Sequence, residues 1–117
     1  GNDQLYGGLG GRDVLIGGAG VDTLKGRSAS GASADDDSDL LIGDRTSYDN
    51  NLAALATIFR TWTDTAQTYA NRTTTLRSTL SGNVFDDGAK DQLFGGAGDD
   101  WFWIGVGDAI KDRVVGE

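Results

Sequence analysis

The stretch Gly17-Gly18-Ala19-Gly20-Val21-Asp22-Thr23-Leu24-Lys25 decides how this chain folds. It returns as Gly95-Gly96-Ala97-Gly98-Asp99-Asp100-Trp101-Phe102-Trp103, and both copies read G-G-x-G-x-D-x-(apolar)-x. Working outward, Asp3, Asp13, Asp39 and Asp91 also carry an apolar residue two places on: Leu5, Leu15, Leu41 and Leu93. On a strand of about three residues that apolar side chain faces inward, because successive side chains alternate faces. The glycines reach turn conformations at little steric cost. Gly and Asp also make ordinary metal-free turns. Copies held in register, with glycines ahead of most of them, are far more specific than any single turn.

On these residues, over roughly 1–45 and 83–117, the chain resembles the hemolysin-type (RTX) calcium-binding nonapeptide repeats. The resemblance implies a mainly β fold, a parallel β-roll in which each nonapeptide makes half a coil. It also implies the C-terminal region of a larger secreted bacterial protein, commonly exported by a type I system. Turns two apart then stack along one edge with Ca²⁺ between them. Calcium takes six to eight oxygens from carboxylates and carbonyls, so three or more ions are expected. The implied ligand set is Asp3, Asp13, Asp22, Asp39, Asp91, Asp100, Asp108 and Asp112, in turns shaped by Gly8, Gly17, Gly18, Gly20, Gly95, Gly96 and Gly98. Asp35, Asp36 and Asp37 read either as a solvated acidic loop or as ligands. Asp44, Asp86, Asp87 and Asp99 lie beside ligand positions and read either way.

Counting turns at 1–3, 8–13, 17–22, 26–39, 43–83, 86–91, 95–100 and 104–112 predicts which of them share an ion. Asp3 pairs with the turn of Asp22, Asp13 with Asp39, Asp39 with Asp91, and Asp91 with Asp108 or Asp112. The same count stacks Leu5, Leu24, Phe85 and Phe102 in one sheet and Leu15, Leu41, Leu93 and Val114 in the other. Ala89 and Leu9 depart from the pattern where glycines are expected.

Eighteen acidic against ten basic residues give a net charge of −8, with no His and no Cys. A uniformly acidic chain without a basic patch argues against nucleic acid as a partner. Its carboxylates repel one another unless cations sit between them, and 19 glycines make ordering costly. Calcium at a hundredfold over Kd adds about 2.7 kcal/mol per site, so folding driven by calcium outside the cell is expected. The absence of Cys fits stabilisation by ions instead of disulfides. No apolar run approaches the about 18 residues of a membrane span. Without His or Cys, Ser-His-Asp, Cys-His and zinc chemistry through those ligands are excluded. The chain reads as a non-enzyme, starting mid-repeat as a piece of a longer protein.

Between Asp44 and Ser81 glycine disappears and the apolar period shifts toward 3.6. Leu52, Leu55, Phe59 and Trp62 predict one helix, and Ala66, Tyr69, Thr73, Leu76 and Leu80 a second. Asp49 is the expected N-cap of the first, and Thr63 or Asp64 of the second. The whole chain thus reads as a single domain, 1–117, with a helical insertion at about 46–80. Trp101 and Trp103 flank the inward Phe102, so both should face outward, covered by the helices or forming an interface. Two functions follow. One is a calcium-binding structural module that folds after secretion and stabilises or caps attached domains of the parent protein. The other is an adhesion module, in which Tyr48, Trp62, Tyr69, Trp101 or Trp103 contacts a carbohydrate or protein.

Overall fold

The computed structural model describes residues 1–26 and 37–112, so the expectations for Asp35, Asp36 and Val114 lie outside the described residues. The strands are β1 (Gln4–Tyr6), β2 (Val14–Ile16), β3 (Thr23–Lys25), β4 (Leu40–Ile42), β5 (Arg45–Thr46), β6 (Val84–Phe85), β7 (Gln92–Phe94), β8 (Trp101–Trp103) and β9 (Ala109–Ile110). Two helices, α1 (Leu52–Thr63) and α2 (Tyr69–Leu80), fall between β5 and β6.

Two parallel sheets carry the repeats, in the orders β1-β3-β7-β9 and β2-β4-β8. Outside the insertion, each successive strand of the chain joins the opposite sheet. Register aligns Leu5, Leu24, Leu93 and Ile110 in one sheet, and Leu15, Leu41 and Phe102 in the other. Leu15, Leu24, Leu41 and Leu93 form one buried cluster, with Leu5 and Phe102 packed against it. That is the core the D-x-Leu spacing implies.

The expected strand partition fails at one place. Phe85 is no rung of a parallel sheet: β6 pairs antiparallel with β5, Phe85 opposite Arg45. Leu93 therefore stacks on Leu24, and Phe102 on Leu41. Asn83-Val84-Phe85 imitates a D-x-apolar copy, which adds a half coil to the count that the chain does not make. The excursion from Arg45 to Phe85 leaves and re-enters within a single turn, closed at its base by the β5–β6 pair.

The helices cover the outer face of the β2-β4-β8 sheet. Leu40, Ile42 and Trp101 join Ile58, Trp62, Leu76 and Leu80 in a second buried cluster, flanked by Val14, Ile16, Tyr48, Tyr69, Val84 and Trp103. This explains Leu40-Leu41-Ile42, whose three residues are all buried: a strand covered on both faces reads as a continuous apolar run. Trp62 stacks on Trp101 at 6.1 Å between ring centroids, and Trp101 meets Trp103 edge-on at 5.5 Å. The Arg72 guanidinium lies 4.9 Å above the Trp62 ring, an arrangement that favours a cation over an aromatic face.

Both helices form in the expected segment, but α2 begins at Tyr69 and leaves Ala66 in the turn before it, and the capping residues and the first apolar stripe also differ from expectation. Asn51 caps α1, its side chain accepting from the Ala54 amide at 3.1 Å, and Thr68 caps α2 by accepting from the Asn71 amide. Asp49 instead accepts from the Thr46 amide and hydroxyl, bracing β5. Leu52 is 84% exposed and Phe59 51% exposed, whereas Ile58 and Trp62 are buried. The Trp62 indole N–H donates to the Ser38 carbonyl at 2.9 Å, and this anchor sets the rotation of α1. Trp62→Ala should therefore lower the stability of the calcium-loaded protein by about 3–5 kcal/mol. Leu52→Ala should stay within about 0.5 kcal/mol. Urea denaturation monitored by circular dichroism distinguishes the two.

Candidate metal centre

The turns between sheets stack along two edges, and Asp22, Asp39, Asp91, Asp100 and Asp108 each use one carboxylate oxygen to hold the stack. On one edge Oδ1 of Asp22 accepts from the Asp3 amide at 2.7 Å, and Oδ1 of Asp91 from the Asp22 amide at 2.7 Å. Oδ1 of Asp108 accepts from the Asp91 amide at 2.9 Å. On the other edge Asp39 accepts from the Asp13 amide at 2.9 Å, and Asp100 from the Asp39 amide at 2.8 Å. Asp112 accepts from the Gly95 and Gly96 amides through its two oxygens. Asp39 and Asp91 were expected to be partners but lie on different edges; Asp39 joins Asp100, and Asp91 joins Asp22. The miscounted half coil at Phe85 is the reason.

The second oxygen of several of these carboxylates has no such partner. Oδ2 of Asp13, Asp22, Asp39 and Asp91 is buried without a hydrogen-bond partner among the described residues. Asp22, Asp39 and Asp91 are at most 1% exposed. A buried charge without compensation is too costly to persist. No Lys or Arg forms a salt bridge with these four among the described residues. Burial, followed by neighbouring carboxylates, pushes the Asp39 carboxyl up to about 8 and the Asp91 carboxyl up to about 6. Burial likewise raises Asp13 and Asp22.

Glycine makes room for these oxygens. A Cβ on Gly17 would collide with the Gly43 carbonyl and Oδ2 of Asp22, and one on Gly95 with the Asp100 carboxylate. Gly7 and Gly26, absent from the expected set, are crowded in the same way by Asp13 and Asp39, and by the Gly26 and Gly95 carbonyls. The signal was present: each is the first residue after a three-residue strand, as Gly17 and Gly95 are. Gly8 and Gly18 have open space around a would-be Cβ, and serve through positive φ values of 121° and 91°. Gly20, Gly96 and Gly98 also adopt positive φ.

Carboxylate and carbonyl oxygens converging without nitrogen or sulfur suit a hard cation of the calcium type. The orphaned Oδ2 atoms and the cradles that a Cβ would fill fit such an ion. Asp44 adds to this: one oxygen each from Asp44, Asp91 and Asp108 lie within 4.8 Å of one another, as do oxygens from Asp44, Asp86 and Asp87. Asp37, 1% exposed, has both oxygens buried and unpartnered among the described residues. It stands two residues before Asp39, where Gly20 and Gly98 stand before Asp22 and Asp100.

Two stacked edges of Gly-Asp turns, joined by parallel three-residue strands, define a calcium-binding repeat protein. The RTX calcium-binding nonapeptide repeat model matches in four copies, over residues 1–29 and 79–109. The chain belongs to that family, which implies calcium binding. No curated protein and no solved structure gives a significant match.

These carboxylates also set opposite pH responses. A carboxyl raised in the folded state takes up a proton on folding, so its contribution to stability is complete below its ordinary value near 3.8. That contribution disappears as pH rises through about 8 for Asp39 and about 6 for Asp91. The chelated chain should gain order as pH falls from 8 toward 4, while calcium affinity weakens over the same range because protons compete for the ligands. Circular dichroism of the chelated chain and calcium titrations at several pH values measure both trends.

Proposed function

We propose that this chain is a calcium-stabilised parallel β-roll that orders when calcium fills its turn edges after export, and that stabilises or caps the larger extracellular protein to which it belongs. The observation that carries this is the row of buried, unpartnered Oδ2 atoms on Asp13, Asp22, Asp39 and Asp91. The metal-free fold must hold these carboxylates close together without cations between them. Ligands are assigned to Asp3, Asp13, Asp22, Asp39, Asp91, Asp100 and Asp108, with carbonyls of the turn glycines. Asp112 accepts backbone amides through both oxygens, as Asp108 does, and is assigned as the ligand at the end of its edge. Residues 1–117 form one domain, with the segment between β5 and β6 as its insertion. Sites of the extracellular kind bind at about 10⁻⁴–10⁻³ M. They stay empty in a calcium-poor cytosol and fill outside, so the chain passes an exporter unfolded.

Burial of the aromatic residues weighs against the adhesion reading. Trp62 is fully buried, Trp101 is 9% exposed, and Tyr48, Tyr69 and Trp103 are half-buried against the same cluster. No helix among the described residues is long and apolar enough to cross a membrane.

Titrating calcium into the chelated chain should produce a cooperative gain of β structure together with a tryptophan fluorescence change, and magnesium should not reproduce it. A chain already ordered in chelator and indifferent to calcium would sink the proposal.

A further inference from the structure

One carboxylate outside the repeat positions stands where the edge meets the insertion: Asp44. It is 1% exposed, and follows Gly43 where the chain leaves β4 for the helical insertion. Its Oδ1 accepts from the amide of Asp87, where the chain returns, at 3.2 Å. One of its oxygens lies within 4.8 Å of oxygens from Asp91 and Asp108, and one within 4.8 Å of oxygens from Asp86 and Asp87. Asp44 thus stands between the stacked edge and the base of the insertion.

A second feature points to a ligand here. Asp91, 1% exposed, has an Oδ2 without a partner. That atom and Oδ2 of Asp108 lie 2.8 and 3.0 Å from where a Cβ on Gly43 would sit. On the other side, a Cβ on Gly105 would meet Oδ2 of Asp44 at 2.6 Å and the Asp86 carboxylate at 2.8 Å. Gly43 and Gly105 keep open the space into which these carboxylates point. Asp86 is held in place by accepting from the Gly88 and Val106 amides, and Asp87 by accepting from Gly20 and Ala89.

We propose that Asp44, with Asp91 and Asp108 and with Asp86 at its outer side, holds a calcium ion that latches both ends of the helical insertion to the stacked turns. This ion is the one shared by the consecutive turns of Asp91 and Asp108, to which Asp44 adds a ligand from the base of the insertion; the inference deepens the calcium reading above and rests on it. Its consequence is that docking of α1 and α2 over Trp101 is tied to calcium. Asp44 and Asp86 are joined to the same edge only when the cation offsets their mutual repulsion. The carboxylate-only donor set selects calcium over softer metals.

The test compares the intact chain with D44N, D86N and D99N by isothermal titration with calcium chloride, reading tryptophan fluorescence in parallel. D44N should weaken one site by at least about tenfold, and its tryptophan transition should lag behind the gain of β structure. Asp86 is exposed, so D86N leaves the fold intact; it should weaken one site about tenfold. Asp99, exposed and outside both clusters, should behave as the parent when changed to Asn. A parent chain that binds calcium while D44N and D86N keep its ion count, affinities and coincident transitions would overturn the latch and leave the broader function standing. A parent chain that binds no calcium would overturn both.

Discussion

Everything in this molecule depends on how the repeat aspartates divide their two oxygens. One accepts a backbone amide from the turn stacked upon it and sets the spacing of the coils. The other is left buried beside a neighbour of the same charge. The first function is backbone architecture that the chain supplies by itself. The second is a debt of desolvated charge, which only a cation or a proton can settle. Because both reside in one carboxylate, the stacking cannot be kept while the requirement for a cation is removed.

The remaining features are arranged around that constraint. First-position glycines such as Gly26 and Gly95 stand where a Cβ would displace a carboxylate oxygen, so their role is steric as much as conformational. The strands of the two parallel sheets are two or three residues long and each contributes one inward side chain, so the interior is narrow. The inner cluster has four fully or nearly buried leucines. The larger apolar cluster lies outside the sheets, beneath the helices, where Trp62 and Trp101 stack. The helices also touch the turn edge directly: Trp62 donates to the Ser38 carbonyl beside Asp39, and the Tyr69 hydroxyl donates to the Asp100 carbonyl at 3.2 Å. Packing of the insertion and geometry of the turns are therefore coupled through the backbone beside the repeat aspartates.

Much of this was legible from residue order. The D-x-(apolar) spacing identifies Leu5, Leu15, Leu24, Leu41, Leu93 and Phe102 as inward but passes over Ile110, which pairs with Leu93, and the loss of glycine after Asp44 marks the insertion. The outward pair Trp101 and Trp103 requires a cover, which the helices supply. What misled was local resemblance: Asn83-Val84-Phe85 has the look of a repeat strand, yet its partner is Arg45-Thr46, running antiparallel. Phe59 and Leu52 likewise sit at helical spacing but face solvent, because a hydrogen bond from Trp62 turns the helix toward Ile58. Periodicity gives a stripe's existence; it does not say which of two adjacent stripes is anchored.

By itself the sequence determined the repeat, its all-oxygen chemistry and its inward leucines, since these follow from spacing within about nine residues and from glycine's conformational range. Only the tertiary structure decided which aspartates are neighbours. That depends on whether a 41-residue excursion, Arg45 to Phe85, counts as a coil or as part of one turn. Strand pairing at its base answers this, placing Asp44 beside Asp91 and Asp108 although they are distant in the chain. Charge proximity across an insertion is a property of closure in space, and no local pattern encodes it.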